Sequence, residues 1–241
     1  MIAFLTSSPC IYGAPRAILN PENEFADQLR RCLPDRIRCL FIASSPDDPP
    51  FTHKVAGEMA ACFEEAELGF SELYILDRQT VADAQMLIWK SDLIILAGGH
   101  VPTQNAFFHD IHLKELLRNY QGTVLGISAG TMNAADRVYI QPEEPGESVP
   151  EFPRFAEGLG ITKINVLPHY QMVKDNELDG RRLYEDITFA DSYGECFYVF
   201  VDGTYLLVEN GRTTLHGEAY RLADGHMERI SAPGDVLVIE E

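Results

Sequence analysis

The chain has 241 residues, a length that suits one large domain with a sizeable core. Its 37 acidic and 19 basic residues give a net charge of −18, which repels phosphate backbones and anionic membrane surfaces. The longest apolar runs fall far short of the roughly 20 residues that span a bilayer. We therefore expect a single domain over residues 1–241 that partners neither nucleic acid nor a membrane.

The first residues, MIAFLTSSPC, lack the basic start and the long apolar stretch of a secretion signal. We interpret them as a first strand, which predicts a cytoplasmic protein. The five cysteines are scattered and form no CxxC pair of the kind that zinc and redox sites use. Reduced, mostly buried thiols are therefore expected.

Short apolar runs alternate with longer amphipathic stretches along the first two thirds of the chain, a pattern typical of an α/β fold with a mainly parallel sheet and helices on both faces. The predicted strands are IAFLTS near Ile2, IRCLFIAS from Ile37, ELYILD from Glu72, DLIILAG from Asp92, TVLGIS from Thr123 and TKINVLP from Thr162. The predicted helices are NEFADQLRRCL, THKVAGEMAACFEEAE, VADAQMLIWK and the stretch from Thr103 to Tyr120.

The pattern changes after about Cys196 to β-rich runs separated by turn dipeptides. Asp202-Gly203, Asn210-Gly211 and Asp224-Gly225 each predict a hairpin turn, so the tail is expected to be antiparallel and to extend the same domain. The segment from Gln141 to Phe155 is rich in proline and acid and lacks periodicity, which predicts a surface loop.

The segment GISAG places Ser128 between Gly126 and Gly130, directly after a predicted buried strand. A sharp turn from strand to helix presents the serine hydroxyl at the carboxyl edge of a sheet, and glycines on either side remove steric clashes. The amide of Ala129 would face the same space and could bind a developing oxyanion. Glycines can also serve only to let a helix pack closely on a strand, so the motif alone leaves a structural role open.

Three further features favour a catalytic role for Ser128. The pair Gly98-Gly99 ends the preceding predicted strand and could supply a second oxyanion amide. His169 follows the predicted strand INVLP and could act as the base that removes the serine proton. An acid that orients this imidazole is expected in the loop that contains Glu143, Glu144 and Glu147, and the residues alone do not choose among the three.

Together these segments resemble the dipeptidase E and cyanophycinase family of serine peptidases over nearly the whole chain. The segments are AGG at 97–99, GISAG followed by TMNAAD, the histidine of LPHY and the hairpin tail. The resemblance implies a fold related to class I glutamine amidotransferases, with Ser128 as nucleophile and His169 as base. It also implies oxyanion amides from Gly99 and Ala129, and Glu143 as the third triad member with Glu144 a close second.

The sequence departs from dipeptidase E where asparagine and threonine typically follow the glycines, because His100 and then VPT stand there. That turn borders the substrate, so His100 is expected to influence specificity, and aspartyl dipeptides are in doubt. Arg181 and Arg182 could anchor a substrate carboxylate, or they could form surface ion pairs on an acidic protein. We expect a small peptide substrate, no cofactor, and a monomer or homodimer.

Two other functions remain open. An α/β-hydrolase esterase shares the G-x-S-x-G motif and the order serine, acid, histidine, although its histidine usually lies near the chain end. A binding module like an amidotransferase could retain the turn without catalysis. His109, His112 and Glu115 lie at helical spacing, but without a third ligand at a recognisable spacing they are better read as a solvated face than as a metal site.

Overall fold

The computed structural model describes residues 1–11 and 17–240. In chain order its strands are β1 (Ile2–Thr6), β2 (Cys10–Ile11), β3 (Ile18–Leu19), β4 (Ile37–Ile42), β5 (Phe70–Leu76), β6 (Leu93–Leu96), β7 (Thr123–Ile127), β8 (Arg137–Tyr139), β9 (Phe155–Glu157), β10 (Asn165–Leu167), β11 (Glu177–Leu178), β12 (Arg181–Arg182), β13 (Cys196–Phe200), β14 (Tyr205–Glu209), β15 (Arg212–His216), β16 (Ala219–Ala223), β17 (His226–Ser231) and β18 (Val236–Ile239).

The α-helices are α1 (Phe25–Cys32), α2 (Pro49–Glu65), α3 (Ala84–Lys90), α4 (Val101–Asp110), α5 (Leu113–Leu117), α6 (Ala129–Met132), α7 (Tyr170–Val173) and α8 (Phe189–Asp191). A π-helical turn, Leu183–Thr188, leads into α8. Within the described ranges, no helix combines the length and the apolar character that a membrane span requires.

The largest sheet has eight strands in the order β18-β15-β14-β1-β7-β6-β4-β5. The five strands from β1 to β5 in this order are parallel, and β14, β15 and β18 continue the sheet in antiparallel fashion. This arrangement confirms the predicted α/β class with a mainly parallel sheet and an antiparallel C-terminal part. Because parallel strands end at the same sheet edge, the segments after β1, β4, β6 and β7 meet there.

A second sheet, β10-β13-β16-β17, pairs β10 and β13 in parallel and the other neighbours in antiparallel fashion. Two of the predicted hairpin turns are confirmed, since Asn210-Gly211 joins β14 to β15 and Asp224-Gly225 joins β16 to β17. The prediction for Asp202-Gly203 is wrong. This dipeptide connects β13 in the second sheet to β14 in the central sheet.

Alternate residues of the central strands pack into two different apolar clusters, one on each face of the sheet. In β1, Ala3 and Leu5 contact the cluster that contains α3 and α4, whereas Phe4 contacts the cluster that contains α1 and α2. Burial on both faces explains why these strands read as continuous apolar runs. A third cluster lies between α6 and the second sheet and includes Met132 and Leu167, so it fixes the serine turn against the histidine segment.

One predicted helix is divided. The stretch from Thr103 to Tyr120 forms α4 and α5, because His112 adopts a left-handed conformation with φ of 54° between them. The five cysteines are free thiols in the described structure, and Cys10, Cys39 and Cys62 are buried.

Candidate active site

Ser128 occupies the turn between β7 and α6 at the carboxyl edge of the central sheet. Its backbone has φ of 49° and ψ of −110°, a combination that L-residues rarely adopt and that costs on the order of 1–3 kcal/mol. The amide of Ser128 donates to the carbonyl oxygen of Thr6 (3.1 Å), and the carbonyl of Ser128 accepts from the amides of Thr131 and Met132. Strain of this kind at a polar residue on a sheet edge is typical of a functional site.

The glycines around Ser128 are needed by the neighbouring chain segments. A Cβ at Gly130 would lie 2.2 Å from the carbonyl oxygen of Leu96 in β6, and one at Gly126 would lie 2.9 Å from Thr131 Oγ1. The expected clash within the turn is therefore wrong for Gly130, where the close contact is with the adjacent strand. These contacts let α6 start directly above the sheet.

His169 follows β10 and has a left-handed backbone conformation with φ of 59°. Its backbone amide donates to Ser7 Oγ (2.8 Å), which follows β1 of the central sheet. Its Nδ1 atom lies 2.7 Å from Oδ1 of Asp202, and Ser7 Oγ donates to the same carboxylate oxygen, also at 2.7 Å. Ser7 and Asp202 thus hold both the backbone and the ring of His169.

Asp202 is the residue that the sequence analysis missed. It follows β13, which lies beside β10 in parallel, with Leu167 opposite Val199. Burial alone would raise the pKa of the Asp202 carboxyl, but hydrogen bonds and charge from His169, together with the Ser7 hydroxyl, outweigh it and lower the pKa. The carboxylate beside Nδ1 is therefore ionised near neutral pH.

Ser128 and His169 line the same two cavities. One cavity, of about 350 Å³, is lined by Gly99, Ser128, Met132, Gln141, Pro142, Glu143, Pro168, His169, Val173, Asn176, Glu177, Leu178 and Leu183. We call it the Glu143 cavity. The second, of about 300 Å³, is lined by Ser8, Phe41, Val55, Met59, Gly98, Gly99, Ile127, Ser128 and His169. We call it the Met59 cavity. The structure thus brings together four of the predicted site residues: Gly99, Ser128, Glu143 and His169.

Glu143 lies in the loop from Gln141 to Phe155. Partial desolvation of its carboxyl group by the surrounding protein, partly offset by the charges of His100 and His169, raises the pKa of Glu143 to about 7. Among the described residues, no hydrogen bond joins this carboxyl group to His169. The assignment of Glu143 as the triad acid therefore stays a prediction.

His100 contacts the same acidic loop. Its Nε2 lies 2.9 Å from Oε1 of Glu147, and its Nδ1 lies 2.8 Å from Thr103 Oγ1. Glu147 also accepts hydrogen bonds from the backbone amides of Glu143 and Glu144. Burial alone would raise the pKa of Glu147, but these two bonds and the bond with His100 outweigh it and lower the pKa. His100 therefore fixes the loop, and through it the position of Glu143.

One group of ligand-type side chains in the described part of the chain has its donor atoms within 4.8 Å of one another: His100, Glu144 and Glu147. Both ring nitrogens of His100 already have hydrogen-bond partners. We assign no metal to this group. Of the predicted helical cluster, His109 lies 3.0 Å from the carbonyl oxygen of Glu157 through its Nε2.

Arg181 and Arg182 are held by other groups of the protein. The guanidinium of Arg181 donates to the carbonyl oxygens of Ser148 and Asp186. Arg182 forms a two-pronged ion pair with the Asp186 carboxylate, which lowers the pKa of Asp186 to about 2. Neither arginine is among the described residues that line the two cavities, so the geometry does not support their predicted role as substrate anchors.

Two solved structures of similar fold are described as peptidases. A peptidase from an acI-B1 Actinobacterium is 17% identical with a TM-score of 0.65, and the match covers 99% of this chain and 96% of that one. A protein described as a candidate peptidase E from Listeria monocytogenes EGD-e is 15% identical with a TM-score of 0.58, covering 95% of this chain and 98% of that one. At these identities the likeness establishes the fold. A comparison with curated protein sequences gives no significant match.

The fold, and the family model that the sequence matches, identify the class of the protein as a serine-type peptidase. More particularly, the chain belongs to peptidase family S51, the dipeptidase E family, whose model matches residues 18–216. The resemblance found in the sequence is confirmed at the level of the family.

Proposed function

We propose that the protein hydrolyses a small peptide or a peptide-like amide by a serine mechanism that involves Ser128 and His169. The observation that carries the proposal is that both residues line the same two cavities at a sheet edge, with Ser128 on a strained turn. Volumes of about 300 to 350 Å³ lie at the small end of the range for ligand sites. This size supports a small substrate.

In the proposed reaction His169 removes the proton of Ser128 Oγ as this oxygen attacks the carbonyl carbon of the scissile amide. The amides of Gly99 and Ala129 stabilise the negative oxygen of the tetrahedral intermediate. The C–N bond then breaks, and His169 gives its proton to the leaving amine. Water, with His169 again as base, attacks the acyl-enzyme, releases the acid product and regenerates Ser128.

The sequence predicts Glu143 as the acid that supports His169, and the contacts favour Asp202. An orienting carboxylate must be ionised and must reach Nδ1 while Nε2 faces the serine. Asp202 is 2.7 Å from Nδ1 and its pKa is lowered, whereas Glu143 forms no hydrogen bond with His169 among the described residues and its pKa is raised. We therefore assign Asp202 as the positioning residue and place Glu143 in the wall of the substrate cavity.

A fluorophosphonate probe tests the proposal without knowledge of the substrate. We expect the wild type to be labelled at Ser128, as identified by mass spectrometry of the labelled peptide, and the Ser128→Ala variant to remain unlabelled. His169→Ala should lower the labelling rate by several orders of magnitude with little change in melting temperature. Absence of labelling in the folded wild type would overturn the proposal and favour a binding module.

A comparison of ester and amide substrates distinguishes a peptidase from an esterase. A peptidase should release amine from dipeptides with a rate that Ser128→Ala abolishes, whereas an esterase would hydrolyse activated esters and leave every dipeptide intact. The cytoplasmic location, the single domain and the monomeric or homodimeric state remain predictions.

A further inference from the structure

We infer that the two cavities bind the two sides of the scissile amide, and that the Met59 cavity is a subsite for an apolar side chain. The inference rests on the proposed function, because it takes Ser128 as the attacking group. Gly99, Ser128 and His169 line both cavities, so Ser128 borders the two of them. A carbonyl carbon placed at the Ser128 hydroxyl would have one part of its substrate in each cavity.

The walls of the Met59 cavity are apolar. Phe41, Met59 and Ile127 are at most 6% exposed, and Val55 on α2 completes this part of the wall. Apart from Ser128 and His169, the polar side chain of this wall is that of Ser8, which is already bonded within the protein. The Ser8 hydroxyl donates to the carbonyl oxygen of Cys10 (2.9 Å), and its oxygen also accepts from the Cys10 amide (3.3 Å). An apolar side chain loses no hydrogen bond to water in such a pocket, whereas a charged one would be left unpaired.

The Glu143 cavity differs in its charge. Its described lining includes the carboxyl groups of Glu143 and Glu177 and the side-chain amides of Gln141 and Asn176, while no lysine or arginine of the described chain lines it. Arg181 and Arg182, which follow the lining residue Leu178 in the chain, are bonded to other groups of the protein. A carboxylate of a substrate would face like charge here, whereas an ammonium or an amide would be favoured.

These two environments define a substrate class. The best substrates should carry an apolar side chain on one side of the scissile bond and an amine or a neutral polar group on the other. Dipeptides with aspartate or glutamate at either position should be poor substrates. One apolar pocket of this size discriminates by about 10-fold to 200-fold per methylene group that it encloses.

The test measures how dipeptides slow fluorophosphonate labelling of Ser128 and how fast they are hydrolysed. The series contains leucine, phenylalanine, alanine, lysine and aspartate at each position in turn. We expect leucine or phenylalanine at one of the two positions to protect Ser128 at least 10-fold better than alanine there, and aspartate to protect least. Equal protection by leucine, alanine and aspartate at both positions, or no protection by any dipeptide, would overturn the inference.

Two variants of one residue locate the subsite. Val55→Trp should fill the Met59 cavity and remove most of the preference for leucine over alanine, and Val55→Asp should shift the preference at the same position toward lysine. Lys54→Trp is the matched control, because Lys54 is exposed on the same helix and does not line the cavity. If Val55→Trp retained the wild-type preference while being folded and labelled, the apolar group would bind elsewhere.

The outcomes of this experiment are distinguishable from a failure of the proposed function. If the wild type is not labelled at all, the serine mechanism fails. If the wild type is labelled and the dipeptides show no side-chain preference, the mechanism stands and only the subsite assignment is wrong.

Discussion

Replacing Asp202 by asparagine should slow the chemistry of Ser128 while keeping the shape of the site. Asparagine has nearly the same volume and can still accept from Ser7, but it removes the negative charge beside Nδ1 of His169. For charges about 4 Å apart, an effective dielectric constant of about 20 gives about 4 kcal/mol, and bulk water gives about 1 kcal/mol. The side chains of His169 and Asp202 are 27% and 23% exposed, so the effective dielectric constant between them lies between these two values. The rate at which Ser128 reacts should therefore fall by about 5-fold to 1,000-fold.

The assay is the second-order rate constant of fluorophosphonate labelling, measured from pH 5 to pH 9 for the wild type, Asp202→Asn and Glu143→Gln. Because the imidazolium that forms during attack loses its counter-charge, the rate constant should fall across this pH range in Asp202→Asn. A residue that only stabilised the fold would lower the fraction of enzyme that can be labelled without changing the rate constant of the folded fraction. If Asp202→Asn labelled within twofold of the wild type while Glu143→Gln lost labelling, the assignment of Asp202 would be refuted and that of Glu143 supported.

Two further predictions concern stability. Gly130→Ala should lower the free energy of unfolding by about 1–3 kcal/mol or more, because the new methyl would lie 2.2 Å from the Leu96 carbonyl oxygen. Urea unfolding measures this change. The control is Gly57→Ala in α2, which has open space around its Cβ position and should be neutral or stabilising. Equal midpoints for the two variants would contradict the close approach of α6 to β6. Between pH 4.5 and about 7 the folded protein holds the Glu143 proton that the unfolded chain releases, so stability should fall as the pH rises through this window. The fall should be small because Glu143 is solvent-exposed, and it should be absent in Glu143→Gln, as urea midpoints across the window would show.

The main elements of the fold were predictable because their residues are buried on both faces. Strands such as β6, with the sequence LIIL, have no side that faces solvent, so no polar residue interrupts the apolar run. Such a run predicts a central parallel strand. The position of Ser128 in a sharp turn was predictable from the two glycines that flank it. The division between α4 and α5 was not predictable, because His112 adopts its left-handed conformation without a glycine to indicate it.

Asp202 shows why one part of the candidate site could not be found in the sequence. An aspartate before a glycine is the usual signal of a hairpin turn, and that local reading excluded a functional one. His169 was selected because it follows an apolar strand, and Asp202 also follows one. Applying it requires knowing that β10 and β13 are parallel neighbours, which is a long-range property of the chain.

The contact between Ser7 and Asp202 joins positions 195 residues apart. It means that the carboxylate beside Nδ1 of His169 is held against the end of β1 by the segment that joins β13 to β14. During synthesis, the turn that contains Ser128 is therefore made well before the carboxylate that orients His169.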